Sequence, residues 1–190
     1  TTPDAEVLFQ IISEMVDHKV DVVVMEVSSH SLVQGKVAPI VFSSAVFTSF
    51  SHDHLDFHGS EKKYFAAKWM LFERYLASGG VSILHESLLS RVPQDWLLTH
   101  KTWAYSVNKT ELKTHKGVNF FRGNAFSPEN FSQKISCEIN GHLIEEKTTL
   151  LGDYNAENII AATLVCLWQT KEKKIPKGLW SRIPLLPGRL

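Results

Sequence analysis

The sequence lacks a cysteine pattern, an excess of charge of either sign and a long apolar run. Its two cysteines, Cys137 and Cys166, are far apart, so neither a disulfide framework nor a zinc spacing is visible. The 20 Lys and Arg residues balance 20 Asp and Glu residues, and nothing indicates a surface for nucleic acid or an anionic membrane. Uncharged runs such as residues 22–25 and 37–51 are too short or too polar to span a bilayer. These absences, with no visible signal peptide, predict a protein of the reducing cytoplasm.

The chain does have enough apolar residues, 44% of 190, for one ordinary domain with a core. Strands and helices alternate through its first half. The predicted elements are, in order, a helix at 3–18 that Thr2 caps, buried strands at 20–27 and 40–49, a helix from Ser60 to about Ala77 that Gly79 and Gly80 end, and a strand at 81–84. Alternation of this kind predicts an α/β fold with a largely parallel sheet and flanking helices.

The second half is richer in strands. Strand-like segments lie at 102–107, 117–121, 133–139 and 142–150. The Asn140-Gly141 pair between the last two of them is a strong hairpin turn. We therefore expect a small antiparallel β appendage on the α/β core. A helix that Asp153 caps should follow and run to about Thr170.

Groups that can bind a metal ion follow two of the predicted strands. Glu26 ends the valine-rich strand, and His54 belongs to the segment Ser51-His-Asp-His-Leu-Asp-Phe-His58 after the next one. The carboxyl ends of strands in an open α/β sheet are where ligands bind, so the two side chains are expected to share one site. From the residues alone, a solvated acid and a polar loop with incidental histidines remain open alternatives.

The His-x-His-x-Asp pattern within this segment also resembles the signature of the metallo-β-lactamases. In that signature another His directly follows the Asp, whereas here Phe57 separates Asp56 from His58. No later His and Asp partners are obvious. Both departures argue against a binuclear zinc hydrolase.

Lys68 lies in the apolar and aromatic helix segment Tyr64–Phe72. The ordinary interpretation is a lysine whose stem covers apolar surface while its amine reaches water. However, burial lowers the pKa of a lysine, and a neutral amine is a nucleophile that can add CO₂. The resulting carbamate is an anion that can help to bind a divalent cation.

Several motifs in order resemble the central domain of the Mur ligases. They are Glu26-Val-Ser-Ser-His30, Gln34, Ser51-His-Asp-His-Leu-Asp-Phe-His-Gly59, Ala67-Lys68, Leu151-Gly-Asp-Tyr-Asn-Ala-Glu-Asn158 and Pro187-Gly-Arg189, which together span nearly the whole chain. The resemblance implies a P-loop-type central domain over residues 1–183, incomplete at its N-terminus, and a linker at 184–190. It also implies an excised piece of a longer protein.

The resemblance implies an ATP-dependent ligase of peptidoglycan synthesis that adds the third amino acid to UDP-MurNAc-L-Ala-D-Glu through an acyl phosphate. Mg²⁺ is the implied cofactor, ATP a co-substrate, and the amino acid is supplied to another domain. The implied residues are Glu26, His54 and a carbamylated Lys68 for catalysis and the metal; Thr1, Thr2, Ser28, Gln34 and Lys36 for the UDP-MurNAc-dipeptide; and Asn155, Asn158 and Arg189 for the nucleotide. The family usually has Arg where this chain has Lys36, and lysine lacks the planar fork for bidentate binding.

The phosphate-binding pattern G-x-x-G-K-S/T does not occur in the sequence. We therefore expect this chain alone to be inactive. Two alternatives to the muramyl ligase stay open, a ligase like folylpolyglutamate synthetase and a non-catalytic module that binds a nucleotide sugar. The identity of the added amino acid, diaminopimelate, lysine or another, is not encoded in these motifs.

Overall fold

The computed structural model describes residues 2–51, 53–108, 115–172 and 175–184. The chain divides into two compact units. Unit 1 comprises Thr1–Ser43 and Phe50–Ser78, and unit 2 comprises Ser44–Ser49 and Gly79–Leu190. Most of the sheet lies in unit 2, and the loops and short helices that carry the predicted metal and substrate residues lie in unit 1.

The described elements agree with most of the predicted ones. The helices are α1 (Ala5–Asp17), α2 (Ser29–Val33), α3 (Leu55–His58), α4 (Glu61–Tyr75), α5 (Gln94–Thr99) and α6 (Asp153–Thr170), with 3-10 turns at Glu86–Arg91 and Trp180–Arg182. The strands are β1 (Phe42–Phe47), β2 (Leu76–His85), β3 (Thr102–Val107), β4 (Val118–Ala125), β5 (Gln133–Ile139) and β6 (His142–Thr148). The helices predicted near the start, after Ser60 and after Asp153 are therefore confirmed.

The predicted strand at Val20–Val27 is wrong. Residues 20–27 form no strand, and Val24 is 85% exposed. A continuous apolar run forms a buried strand only when neighbouring strands take up its backbone hydrogen bonds and cover both of its faces. The segment finds no such neighbours among the described strands, so most of its valines face water.

Three predictions about local signals are also wrong. The N-cap of α1 is Asp4 rather than Thr2, and the N-cap of α6 is Gly152 rather than Asp153. Gly79 and Gly80 lie inside β2 and do not end α4, because the chain turns from helix to strand at Leu76. Ser60 does cap α4, since its Oγ atom accepts a hydrogen bond from the amide of Lys63 at 3.3 Å.

Unit 1 has a small core of its own. Leu8 of α1, Leu32 of α2 and Val37 are buried together. Partly buried apolar side chains surround them: Ile12, Met25, Val27, Ile40, Met70, Leu71 and Tyr75. Helix α4 also buries Trp69 and Phe72, whose rings stack with centroids 4.6 Å apart. This packing fixes α1, α2 and α4 around the segment that carries Glu26 and Ser28.

One sheet of six strands runs in the order β1-β2-β3-β4-β5-β6. Strand β3 is parallel to both β2 and β4, whereas β4, β5 and β6 pair antiparallel. The predicted antiparallel part is therefore confirmed, and it continues the main sheet. The predicted hairpin is confirmed, because Ile139 pairs with His142 across Asn140 and Gly141, whose φ angles are 52° and 75°.

Helix α6 packs on the sheet through the apolar face that its sequence predicts. Its buried residues include Ala156, Ile159, Ile160, Leu164 and Leu167. The side chain of Trp180 is fully buried against this core, and its Nε1 atom donates to Oγ1 of Thr163 at 3.0 Å. Glu146 of β6 accepts from the Trp180 amide at 2.8 Å, so the segment after α6 is held by both sheet and helix.

Among the described residues, no helix is both long and apolar enough to cross a bilayer. Cys137 is buried and Cys166 is exposed, and both are free thiols. Burial raises the pKa of the Cys137 thiol to about 12. That thiol is therefore a packing group and not a nucleophile.

Candidate functional site

The hydroxyl of Thr2 joins the start of the chain to the segment that carries Glu26. Thr2 Oγ1 donates to the backbone oxygen of Glu26 at 2.9 Å and accepts from the amide of Ser28 at 3.1 Å. These bonds fix the backbone on either side of Val27. The side chain of Glu26 is exposed, so its carboxylate is available to a ligand.

Ser28 caps the short helix α2. Its Oγ atom accepts from the amide of Ser31 at 3.2 Å and lies 2.8 Å from the Ser31 hydroxyl. Gln34 stands at the C-terminal end of the same helix, where its amide donates to the backbone oxygen of His30 at 2.9 Å. The two predicted substrate residues are therefore at opposite ends of one five-residue helix.

Lys36 is paired with an acid in this structure. Its Nζ atom donates to Oδ1 of Asp4 at 2.5 Å. The hydrogen bond and the positive charge of Lys36 hold the pKa of the Asp4 carboxyl below its usual range. An anionic substrate at Lys36 would have to compete with Asp4 for the ammonium group.

His54 has a backbone conformation that few residues other than glycine adopt. Its φ angle of 53° places it in the left-handed region directly before α3. Asp53 supports it, because Asp53 Oδ1 accepts from the His54 amide at 2.8 Å and Oδ2 lies 3.6 Å from Nε2 of the ring. The ring remains exposed, so its nitrogen atoms are accessible to a ligand.

His54 belongs to a cluster of rings that has His30 at its centre. The centroid of the His30 ring lies 5.2 Å from that of His54, 5.4 Å from that of His58 and 4.0 Å from that of Phe57. His58 is buried, and its Nε2 atom lies 3.0 Å from Oγ of Ser29. Burial, with smaller contributions from the positive charges of His30, His54 and Lys68, lowers the pKa of His58. The surroundings of His58 thus favour its neutral form.

Lys68 of α4 faces the same group of residues in unit 1. Burial lowers the pKa of its amine, and the negative charges of Asp53 and Glu26 partly oppose that effect. Its Nζ atom lies 5.1 Å from the centroid of the Tyr64 ring. The three predicted residues Glu26, His54 and Lys68 are thus in one unit. The carboxylates of Asp53 and Glu26 both act electrostatically on the Lys68 amine.

The described residues contain no group of three His, Cys, Asp or Glu side chains arranged to hold a metal ion. A lysine is not one of those ligand types, but its carbamate would be a carboxylate-like donor. The oxygen donors of Glu26 and a Lys68 carbamate are those that Mg²⁺ prefers. The donor set fits a hard cation when Lys68 is carbamylated.

The predicted nucleotide residues lie in unit 2, in the first turns of α6. Nδ2 of Asn155 donates to the backbone oxygen of Leu151 at 2.8 Å, and Asn158 is exposed. Between them, Oε1 of Glu157 lies 3.0 Å from Nε2 of His85, the last residue of β2. Thr1 and Arg189, the other predicted ligand residues, lie outside the described residues.

Sequence reasoning missed the contacts that His30, His58 and His85 make. His85 and Glu157 are 72 positions apart, so no local pattern could have joined them. His30 and His58 do lie in the two His-containing motifs. Their positions in those motifs indicated that they lie near the site. The contacts of their side chains, however, depend on the packing of α2 against α3 and α4.

Comparison with known proteins gives a family and a set of relatives. The family model of the Mur ligase middle domain matches residues 1–166. Two similar proteins are both named UDP-N-acetylmuramoyl-L-alanyl-D-glutamate--2,6-diaminopimelate ligase. The one from Clostridium tetani is 32% identical over 190 residues, and the one from Solibacter usitatus is 35% identical over 195 residues. Each comparison covers 100% of this chain but only 36% and 37% of the respective relative.

Solved structures agree on the fold. A structure of a UDP-N-acetylmuramoyl-L-alanyl-D-glutamate--2,6-diaminopimelate ligase superposes with a TM-score of 0.80 at 22% identity, over 100% of this chain and 38% of that one. A MurF ligase from Thermotoga maritima in complex with ADP gives a TM-score of 0.58 at 15% identity, over 86% of this chain and 35% of that one. The predicted α/β fold and the predicted family are therefore confirmed.

Proposed function

Because the chain belongs to the Mur ligase middle-domain family, we propose that it is part of an ATP-dependent, ADP-forming ligase of peptidoglycan synthesis. The ligase adds the third amino acid to UDP-MurNAc-L-Ala-D-Glu in the cytoplasm. One observation carries the proposal: relatives named for this reaction match the chain along 100% of its length. Their names also support 2,6-diaminopimelate as the added amino acid.

The proposed reaction has two steps. An oxygen of the D-Glu carboxylate attacks the γ-phosphorus of ATP, and ADP leaves with the electrons of the broken P–O bond. The amine of the incoming amino acid then attacks the carbonyl carbon of the acyl phosphate, phosphate leaves from the tetrahedral adduct, and the proton of the amine passes to water. Both partners of the first step are anions, so their approach requires positive charge. Bound Mg²⁺ supplies that charge and stabilises the charge that develops on the phosphoryl oxygens.

In this proposal Glu26, His54 and a carbamylated Lys68 would hold the cation. The exposed carboxylate of Glu26 and the exposed ring of His54 are accessible to it. The lowered pKa of Lys68 keeps more of its amine neutral at a given pH, which favours addition of CO₂. Thr2 contributes by fixing the backbone of Glu26.

The proposed substrate residues Thr1, Thr2, Ser28, Gln34 and Lys36 bind the UDP-MurNAc-dipeptide. A phosphate or carboxylate of this substrate would displace Asp4 from Lys36. Lysine offers a compact charge and no planar fork, so we expect a single ionic contact here instead of a bidentate one. Breaking the Lys36–Asp4 bond costs part of the binding free energy that the new contact provides, so this is the weakest of the proposed contacts.

The proposed nucleotide residues are Asn155, Asn158 and Arg189. Two side-chain amides near the start of α6 can donate to and accept from one heterocyclic base, because residues three apart share a helix face. The bond between Asn155 and the Leu151 oxygen sets the direction of that amide. In this proposal another domain of the ligase binds the incoming amino acid.

The test is an assay of the longest natural protein that contains this chain. ADP release should require both UDP-MurNAc-L-Ala-D-Glu and the amino acid, and the product should have the mass of the tripeptide. Diaminopimelate and lysine are compared as acceptors. ADP release with a pteroyl substrate would instead support the folylpolyglutamate ligase, and binding of the nucleotide sugar without turnover would support the non-catalytic module.

The purified 190-residue chain serves as the matched comparison. We propose that it neither hydrolyses ATP nor forms a peptide bond, because its sequence has no G-x-x-G-K-S/T loop to cradle the β- and γ-phosphates. Correct positioning of the reactants can lower an activation barrier by about 7–11 kcal/mol. This chain alone is not expected to position ATP and the amine acceptor in that way. ADP formation by this chain that Glu26→Gln abolishes would contradict the proposal.

A further inference from the structure

A buried hydrogen bond joins α2 to α3 in unit 1. The Nε2 atom of His58 lies 3.0 Å from Oγ of Ser29, and the two residues are only 7% and 2% exposed. They are 29 positions apart, so the bond is neither a helix cap nor a turn. A buried polar group that loses its partner is costly, so this bond strongly favours one arrangement of the two helices.

Each end of this bond is next to a residue of the proposed site. Ser29 follows Ser28, whose hydroxyl caps α2. His58 ends α3, the four-residue helix that begins directly after His54. The ring of His30 makes a second link, because its centroid is 5.2 Å from that of His54 and 5.4 Å from that of His58.

Neither short helix can set its own orientation. Helices of five and four residues are far below the length at which a helix is stable without tertiary contacts. The chain also turns through left-handed conformations on both sides of α3, with φ angles of 53° at His54 and 73° at Gly59. The position of His54 relative to Ser28 therefore depends on side-chain contacts between the two helices.

We propose that the Ser29–His58 hydrogen bond couples substrate binding at Ser28 to cation binding at His54, so that the UDP-MurNAc-dipeptide and Mg²⁺ each raise the affinity for the other. Ser29 and His58 are positioning residues, since they act through Ser28 and His54. The inference rests on the proposed function of those two residues. Thermodynamic linkage requires the effect to be equal in both directions.

The first experiment tests the mechanical link without any ligand. In NMR spectra of the chain, Ser29→Ala should shift both the Ser28 amide and the ring signals of His54. Ser31→Ala is the matched control on the same helix, because the Ser31 hydroxyl lies 2.8 Å from that of Ser28. It should shift the Ser28 amide but leave the His54 ring signals in place. Unchanged His54 signals in Ser29→Ala would overturn the proposal.

The second experiment measures the coupling itself by calorimetry, on the longest natural protein that contains this chain and on its variants. The dissociation constant of UDP-MurNAc-L-Ala-D-Glu is determined with and without Mg²⁺, and Mg²⁺ should tighten binding about 5- to 150-fold, the usual range for linked sites. In Ser29→Ala and His58→Asn this factor should fall at least fivefold. His58→Gln should retain it, because the Gln amide reaches the position of Nε2 whereas the Asn amide does not.

Association of Mg²⁺ with the diphosphate in solution affects all variants equally, so differences among variants report the protein. An unchanged factor in Ser29→Ala and His58→Asn would overturn the proposal. Equal loss in the Gln and Asn variants would do so as well, since it would indicate a general structural role. Failure of the longest natural protein that contains this chain to bind either ligand would instead refute the proposed function, and the NMR comparison would still decide the link between Ser29 and His54.

Discussion

The Nζ atom of Lys68 lies 5.1 Å from the centroid of the Tyr64 ring, one turn earlier on the same helix. Tyr64 is buried, and burial raises the pKa of its hydroxyl. The same surroundings lower the pKa of the Lys68 amine, although Asp53 and Glu26 act against this. Helix α4 thus presents a half-buried amine within electrostatic reach of the carboxylates of Asp53 and Glu26, an arrangement that suits a lysine that reacts with CO₂.

In the proposed ligase, Lys68→Ala should lower turnover about 100-fold or more, because the carbamate would hold the cation that stabilises transition-state charge. Short-chain carboxylic acids should restore part of the activity by taking the place of the carbamate. The control is Lys62→Ala, which removes an exposed lysine from the first turn of the same helix. Steady-state rates of both variants, with and without added acid, test this prediction. Full activity of Lys68→Ala would contradict the proposed carbamate.

Lys68→Met should make the chain more stable at neutral pH by about 0.5–1 kcal/mol. The folded-state pKa of Lys68 lies below its unfolded value, so burial of the charged amine opposes folding at low and neutral pH. That cost disappears as the pH rises through the folded-state pKa toward the unfolded value of about 10.4.

Urea unfolding of both proteins at neutral pH and near pH 10 measures this effect. The stability difference between Lys68→Met and the unaltered chain should shrink at the higher pH. Lys62→Met should show no such dependence. A difference that stays constant across the range would mean that desolvation of the amine is not the cause.

Glu26→Gln should lower Mg²⁺-dependent turnover on the order of 100-fold and change the free energy of unfolding by no more than about 0.5 kcal/mol. The carboxylate is exposed, so its loss removes little packing. Glu14→Gln, an exposed acid of α1, is the control and should alter neither quantity. Parallel losses of activity and melting temperature would favour a structural role for Glu26.

His54→Asn should behave in the same way as Glu26→Gln. Asn is preferred to Ala here because it tolerates the left-handed backbone at φ 53°. The informative measurement is the Mg²⁺ concentration that gives half-maximal rate, which should rise strongly. An unchanged Mg²⁺ requirement would remove His54 from the proposed metal site.

Gly123→Ala should destabilise the chain by about 1–3 kcal/mol. A Cβ atom on Gly123 would overlap Cδ1 of Ile160 and lie 2.9 Å from the backbone oxygen of Ser136. Adding Ile160→Val, which removes Cδ1, should restore part of the loss, whereas the contact with the Ser136 backbone remains. Gly141→Asn is the control, because that site has open space and a φ of 75° that Asn accepts. Thermal unfolding of the variants tests this.

The strands β3 to β6 and the helices α1, α4 and α6 follow from local sequence signals. Alternating or β-branched runs, the Asn140-Gly141 turn and the Ser60 cap act within a few residues, so they are visible in the sequence alone. The strand predicted at Val20–Val27 is wrong because a buried strand does not follow from local signals. A buried strand depends on partners elsewhere in the chain, and its apolar residues do not specify whether those partners are present.

The sequence by itself determined the family and the predicted site residues, because the order of short motifs around Glu26, His54 and Lys68 is readable along the chain. Only the tertiary structure decided how the side chains meet. It placed the Thr2 hydroxyl between Glu26 and Ser28, paired Lys36 with Asp4 and buried His58 against Ser29. Each of these contacts joins residues 24 to 32 positions apart, and contacts at that separation depend on how helices pack and not on local propensity.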